Sequence, residues 1–190
     1  GKLTQTKTLD LPSEVQLDPA INPQNCNQEL SKPIDLSDPS TTLLLTGANG
    51  FMGSFILFEL LKQTSAQILC LVRAETDAAA FNRIRSSLED YYLWEEVQSE
   101  GFESRIIALA GDLSKPKFGL SDEKIVELSQ VVDVIYHNGA WVHHGSPYSL
   151  LKPTNVLGTQ EILRLACTER IKPVHFVSTI SVFPLQAQNP

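Results

Sequence analysis

The chain has 190 residues, 42% of them hydrophobic and 19% charged, with 15 Lys and Arg against 22 Asp and Glu for a formal charge of −7. That is globular composition of about one domain, and its acidic balance argues against nucleic acid as the main partner. No run of about 18 apolar residues occurs and no basic-then-apolar leader opens the chain, so neither a membrane-spanning helix nor a secretory signal is expected.

Residues 1–40 hold five of the eleven prolines and none of the fourteen aromatic residues. They are expected to form an extended N-terminal arm or linker, with Leu9, Leu11, Val15, Leu17 and Ile21 as its candidate anchors. Residues 41–190 are expected to be the packed domain. From Thr42 the pattern alternates. Thr42–Thr46 reads as a buried strand stopped by Gly47, and residues 51–63 as a helix with Phe51, Phe55, Phe58 and Leu61 at helical spacing. Ile68–Val72 is a second strand, and Phe81, Ile84, Leu88 and Tyr91 mark a second helix. Residues 105–110 give a third strand. Ser121 caps a short helix carrying Ile125 and Leu128. Residues 131–136 give a fourth strand, 155–168 a helix, and 174–177 a fifth strand. Strands of near-continuous hydrophobicity between helices indicate an α/β fold with a doubly wound parallel sheet, Rossmann-like, in the strand order 3-2-1-4-5.

Cys26, Cys70 and Cys167 form no CxxC pair. Neither a disulfide framework nor a cysteine-rich zinc site is expected, and a reducing cytoplasm fits them best. His143-His144 have no third ligand at sensible spacing, so no metal site is expected.

The sharpest motif is TGANGFMG, Thr46 to Gly53, which joins the first strand to the first helix. Gly47 permits a tight turn, Gly50 lets the backbone approach a pyrophosphate, and Gly53 lets helix and strand pack closely. The helix N-terminus offers N–H groups and partial positive charge to phosphates. A dinucleotide is the expected ligand, with Thr46, Asn49, Phe51 and Met52 among its neighbours. After the second strand stands Arg73, with Arg83 in the next helix, where a site preferring NADH usually has an acid. A guanidinium there favours a 2′-phosphate, hence NADPH. Asp112 and Leu113 follow the third strand beside the expected adenine pocket; an Asx-turn is the competing reading of Asp112. Asn138, Gly139 and Ala140 follow the fourth strand, where small residues admit a cofactor. Ser178 and Thr179 follow the fifth.

In order, LLLTGANGFMG, CLVRA, YYLW, GDLSKPKFGLS, IYHNGAWVHHGSPY, NVLGTQEILRLA and HFVSTISV resemble the thioester reductase domains of non-ribosomal peptide and polyketide synthetases, within the extended short-chain dehydrogenase/reductase superfamily. The likeness runs from about residue 11 to residue 184. It implies that Gly47, Gly50 and Gly53 are the cofactor fingerprint and that Arg73 and Arg83 hold the 2′-phosphate. It further implies that Asp112 and Leu113 contact adenine, that Asn138, Gly139, Ala140 and Val142 border the ribose, and that Asn155 is the superfamily's helix-four asparagine. Thr179 matches the catalytic Ser/Thr.

The implied activity is NADPH-dependent release of an acyl or peptidyl thioester, held on the phosphopantetheine arm of an upstream carrier protein, as aldehyde or alcohol. The family's Tyr-x-x-x-Lys pair belongs downstream of Thr179. The chain runs only eleven residues past Thr179, with no tyrosine after Tyr148. The pair is read as absent, so the chain is expected to be the NADPH-binding part of a larger reductase and inactive alone. Alternatives are a cofactor-binding or chain-cyclising module without redox activity, and the corresponding part of a carboxylic acid or fatty acyl-CoA reductase.

Overall fold

A computed structural model describes residues 10–27 and 33–182 and begins with a single helical turn, α1 (Leu11–Glu14). Its centre is a five-stranded sheet of β1 (Thr42–Thr46), β2 (Gln67–Val72), β3 (Ile106–Ala110), β4 (Val134–His137) and β5 (Val174–Phe176). The order is β3-β2-β1-β4-β5 and every neighbouring pair is parallel. This is the doubly wound order read from the sequence. All five C-terminal ends therefore lie along one edge, with the switch point between β1 and β4.

The two-residue period of the strands divides the core into two layers. Leu43, Leu45, Ile68, Cys70, Val72 and Val134 point to one face, where α2 (Phe51–Gln63), α3 (Asp77–Asp90) and α4 (Trp94–Ser99) supply Leu57, Leu61, Ile84, Leu88 and Trp94. Leu44, Leu69, Leu71, Leu109 and Ile135 point to the other. There α5 (Asp122–Val131) and α7 (Gly158–Ala166) supply Leu128, Ile162 and Leu165. Thr76 and Ser121 cap α3 and α5 by accepting from the N–H groups of Ala79 and Lys124.

Two element starts and one helix face differ from expectation by more than a residue or two. The fourth strand begins at Val134, because Val131 closes α5. The helix expected over 155–168 begins earlier: α6 (Tyr148–Lys152), a wide π-helical turn (Pro153–Leu157) and α7 run on without a break. On α2 the inward face is Gly53, Ser54, Leu57, Phe58 and Leu61, so of the expected stripe Phe58 and Leu61 face the core while Phe51 and Phe55 do not. In the first turn small residues decide it, since Gly53 and Ser54 let the helix close on the β1 turn where a phenylalanine could not. Phe51 and Phe55 instead lie outside, against Tyr91, at ring-centroid distances of 5.4 and 5.6 Å.

The arm is held mainly by polar contacts. Ile21 is buried, but Val15 and Leu17 are exposed; Leu9 and the Leu11 side chain lie outside what is described. Among the described residues no helix is long and apolar enough to cross a membrane.

Candidate cofactor site

A cavity of about 560 Å³ opens at the C-terminal edge of the sheet, over the β1–β4 switch point. Its size suits a cofactor-sized ligand. The β1–α2 turn contributes Gly47, Asn49, Gly50, Phe51 and Met52 to its wall. Leu71 and Arg73 come from the end of β2, Arg83 from α3, and Gly111, Asp112 and Leu113 from the end of β3. Asn138 to Val142 follow β4, and Thr154 comes from the π-helical turn.

Glycine is required in the turn by contact as well as by conformation. Gly47 has φ +72°, and a Cβ on it would meet the Gly139 Cα at 2.8 Å. A Cβ on Gly53 would lie 1.8 Å from the Gly47 carbonyl oxygen. Gly53 thus sits beneath the cavity and sets how closely α2 approaches the turn. Gly50 is the N-cap of α2 and no side chain caps that end. The N-terminus of a 13-residue helix is left to face the cavity with its partial positive charge.

Arg73 and Arg83 both line the cavity. Arg83 Nη1 donates to the Arg73 carbonyl at 2.6 Å, so α3 and the end of β2 hold both arginines on one side of the cavity. Asp112 is at once an Asx-turn residue and a wall residue: its Oδ1 accepts from the Ser114 N–H at 2.9 Å and the Ser114 hydroxyl at 2.7 Å. Burial opposes its charge. The Ser114 bonds, with Arg73 and Lys115 nearby, outweigh burial and hold the carboxyl below its ordinary range.

The sequence reading missed His137. It is 1% exposed, and burial pushes its pKa down to about 4, so the imidazole is neutral. The Thr159 hydroxyl donates to the Asn155 carbonyl at 2.8 Å and therefore accepts from His137 Nε2 at 3.0 Å. His137 Nδ1 then accepts from the Thr46 hydroxyl at 2.8 Å, and Thr46 Oγ1 accepts the Gly139 N–H at 2.8 Å. Every proton has one place, and the network assigns the Nε2–H tautomer. Thr46, expected at the cofactor, is buried, is not part of the cavity wall, and ties β1 to the β4 turn. A lone histidine at a strand end carries no spacing signal that would have revealed this.

Asn155 supports the wall from behind. Its Oδ1 accepts the Trp141 N–H at 2.7 Å and its Nδ2 donates to the Trp141 carbonyl at 3.0 Å. Thr179 stands three residues beyond β5, on the same sheet edge as Gly50, and its Oγ1 accepts the Ser181 N–H at 3.2 Å. It is not part of the cavity wall. Leu71, Gly111, Trp141 and Thr154 are wall residues that the motifs did not name as ligand contacts.

The Tyr-x-x-x-Lys reading needs correction. That spacing occurs once, at Tyr148 and Lys152, upstream of Thr179. Both residues serve the arm: the Tyr148 hydroxyl donates to Glu14 Oε2 at 2.7 Å, and Lys152 Nζ lies 2.8 Å from Oε1. The hydrogen bond to the Glu14 carboxylate raises the tyrosine pKa, the opposite of what proton donation to substrate needs. Among the described residues no group of three His, Cys, Asp or Glu is placed to hold a metal, and His143 Nδ1 is engaged with the Ser146 hydroxyl at 3.0 Å.

Residues 45–190 match the NAD_binding_4 family, described as Male sterility protein. The chain is 48% identical over 175 residues to a linear gramicidin synthase protein of Brevibacillus parabrevis, covering 91% of this chain and 3% of the synthase. It is similar to the terminal R domain from the myxalamid PKS-NRPS biosynthetic pathway, at TM-score 0.83 and 44% identity over 95% of this chain and 44% of that one. It is also similar to a thiolation-reductase di-domain from an archaeal non-ribosomal peptide synthetase, at TM-score 0.60 and 28% identity over 86% of this chain and 34% of that one. The chain thus spans well under two thirds of the length of each.

Proposed function

Because the chain belongs to the NAD_binding_4 (Male sterility protein) family, in the extended short-chain dehydrogenase/reductase superfamily, we propose that it is the NADPH-binding part of a thioester reductase that releases an acyl or peptidyl chain from a carrier protein. The observation that carries the reading is the cavity itself, lined by the uncapped start of α2 and by Arg73 and Arg83, which a hydrogen bond holds together. The residues fit the group. Gly47 and Gly53 let the turn close against the backbone of Gly139 and against α2, which leaves the start of α2 open to the cavity. A helix N-terminus suits a pyrophosphate, and arginine side chains suit a 2′-phosphate.

In this reading the Gly47–Met52 turn holds the pyrophosphate, Arg73 and Arg83 hold the 2′-phosphate, and Asp112 and Leu113 border the adenine. Asn138, Gly139, Ala140 and Val142 border the ribose, with Asn155 fixing their loop through Trp141. When bound, the cofactor supplies hydride for a thioester carbonyl. The Thr179 hydroxyl, which accepts from the Ser181 N–H, keeps its own proton to donate to the oxygen that gains charge. The carrier-bound thioester is the substrate favoured by the likeness to a gramicidin synthase and to a thiolation-reductase di-domain.

The test is calorimetric titration of the chain with NADPH and NADH, followed by NADPH absorbance loss in the complete protein with carrier-bound and CoA thioesters. Tight NADPH binding and turnover of the carrier-bound substrate are expected. Binding without turnover in the complete protein favours a module without redox activity.

A further inference from the structure

The N-terminal arm follows the helical rod 148–166 in the same direction, contact by contact. Glu14 meets Tyr148 and Lys152, Gln160 Nε2 donates to the Gln16 carbonyl, and Arg164 pairs with Asp18 at 2.9 Å. Where the rod ends, the Cys26 thiol donates to the Cys167 carbonyl at 2.9 Å, and the Asn27 N–H donates to the Glu169 carbonyl at 2.9 Å. Two cysteines 141 positions apart thus meet at the end of this track.

Cys26 is buried and Cys167 half-buried. Burial first, then the adjoining Cys26 thiol, push the Cys167 thiol up, and the Lys172 ammonium draws it down. Lys172 is 2% exposed, anchored on the carbonyls of Thr168 at 2.7 Å and Arg170 at 3.1 Å, and interacts with Cys26 as well. On balance burial holds the Cys167 thiol up and lowers the Lys172 pKa to about 8, so the thiolate forms as a minor species and the proximity of the two cysteines carries the exchange. Cys70 lies deep in β2, and burial alone pushes its thiol up.

We infer that Cys26 and Cys167 form a reversible disulfide that fastens the N-terminal arm to the helical rod. The oxidant is a low-molecular-weight disulfide. The more exposed Cys167 attacks as thiolate; the reagent's S–S bond breaks, a mixed disulfide forms, and one reagent thiol leaves. Cys26, as thiolate, then attacks the Cys167 sulfur and expels the second reagent thiol. The two thiol protons end on the two released thiols, one disulfide is reduced, and one is formed. The opposite end of the same track bears on the cavity. Glu14 grips the rod at Tyr148 and Lys152, immediately before the turn that carries Thr154 and Asn155.

The complete protein is incubated with excess oxidised glutathione, quenched by alkylation, digested with trypsin and read by mass spectrometry. The expected product joins peptide 165–170 to the arm peptide containing Cys26, two hydrogens lighter than the pair and separated again by dithiothreitol, with Cys70 unoxidised. In Cys26→Ser the Cys167 peptide should retain glutathione. The oxidised wild type should also melt about 4 °C or more above the reduced protein, as a long closed loop requires. Wild-type protein that keeps glutathione on Cys167 while Cys26 is alkylated, or in which both are alkylated, overturns the assignment. A joined pair with an unchanged melting temperature overturns the fastening of the arm.

Discussion

The Thr46 hydroxyl accepts the Gly139 N–H at 2.8 Å and donates to His137 Nδ1 at 2.8 Å, so one buried side chain fastens the end of β1 to the turn that follows β4. These are the two strands between which the cavity opens. The wall formed by Gly139 and Ala140 is therefore set by a network lying beneath it.

That network predicts a pH dependence. The imidazole titrates near pH 6.5 in an unfolded chain and at about 4 in the folded one. Between those values the unfolded state binds more protons, so stability is full above about pH 6.5 and falls as pH drops toward 4, by on the order of 3 kcal/mol. Denaturant titrations from pH 4 to 7.5 should show this slope, and His137→Gln, less stable at neutral pH, should flatten it. A slope identical in both proteins would remove His137 as its source.

Arg73→Ala should weaken NADPH about 10- to 100-fold and leave NADH nearly unchanged, because one charge-assisted hydrogen bond contributes about 1.5–3 kcal/mol. Calorimetry with both cofactors reads this directly. Equal losses for the two would assign Arg73 a general charge effect instead of recognition of the 2′-phosphate.

Gly53→Ala should be poorly tolerated. Its Cβ would sit 1.8 Å from the Gly47 carbonyl oxygen, and backbone cannot swing aside as a side chain can. A loss on the order of 3 kcal/mol is expected from the forced separation of α2 and the turn, with NADPH binding lost alongside. Thermal melting and titration of the variant check both.

Thr179→Ala in the complete protein should lower thioester turnover about 10²–10³-fold while barely changing NADPH affinity, as expected for a donor that acts on developing charge. The 190-residue chain by itself should show no comparable turnover: Tyr148 is committed to Glu14, and no tyrosine follows Thr179 in it. Absorbance assays on the complete protein, its Thr179→Ala variant and the chain alone decide this. Turnover by the chain that matches the complete protein would mean that these residues contain their own acid.

Much of the fold was legible because its causes are local. Strands buried on both faces need unbroken runs such as Leu43–Leu45 and Ile68–Val72, and the turn that carries Gly47, Gly50 and Gly53 has few chemical solutions. The strand order followed from right-handed crossovers between such runs. Other features depended on contacts between residues distant in sequence. The outward position of Phe51 and Phe55 on α2 was decided by the approach of Gly53 to Gly47, while Phe58 and Leu61 of the same stripe face the core. The neutrality of His137 comes from burial between Thr46 and Thr159, 91 residues before it and 22 after. The arm's polar track along residues 148–169 joins positions more than 130 apart, so composition marked the arm as extended and only the tertiary structure decided what it lies against.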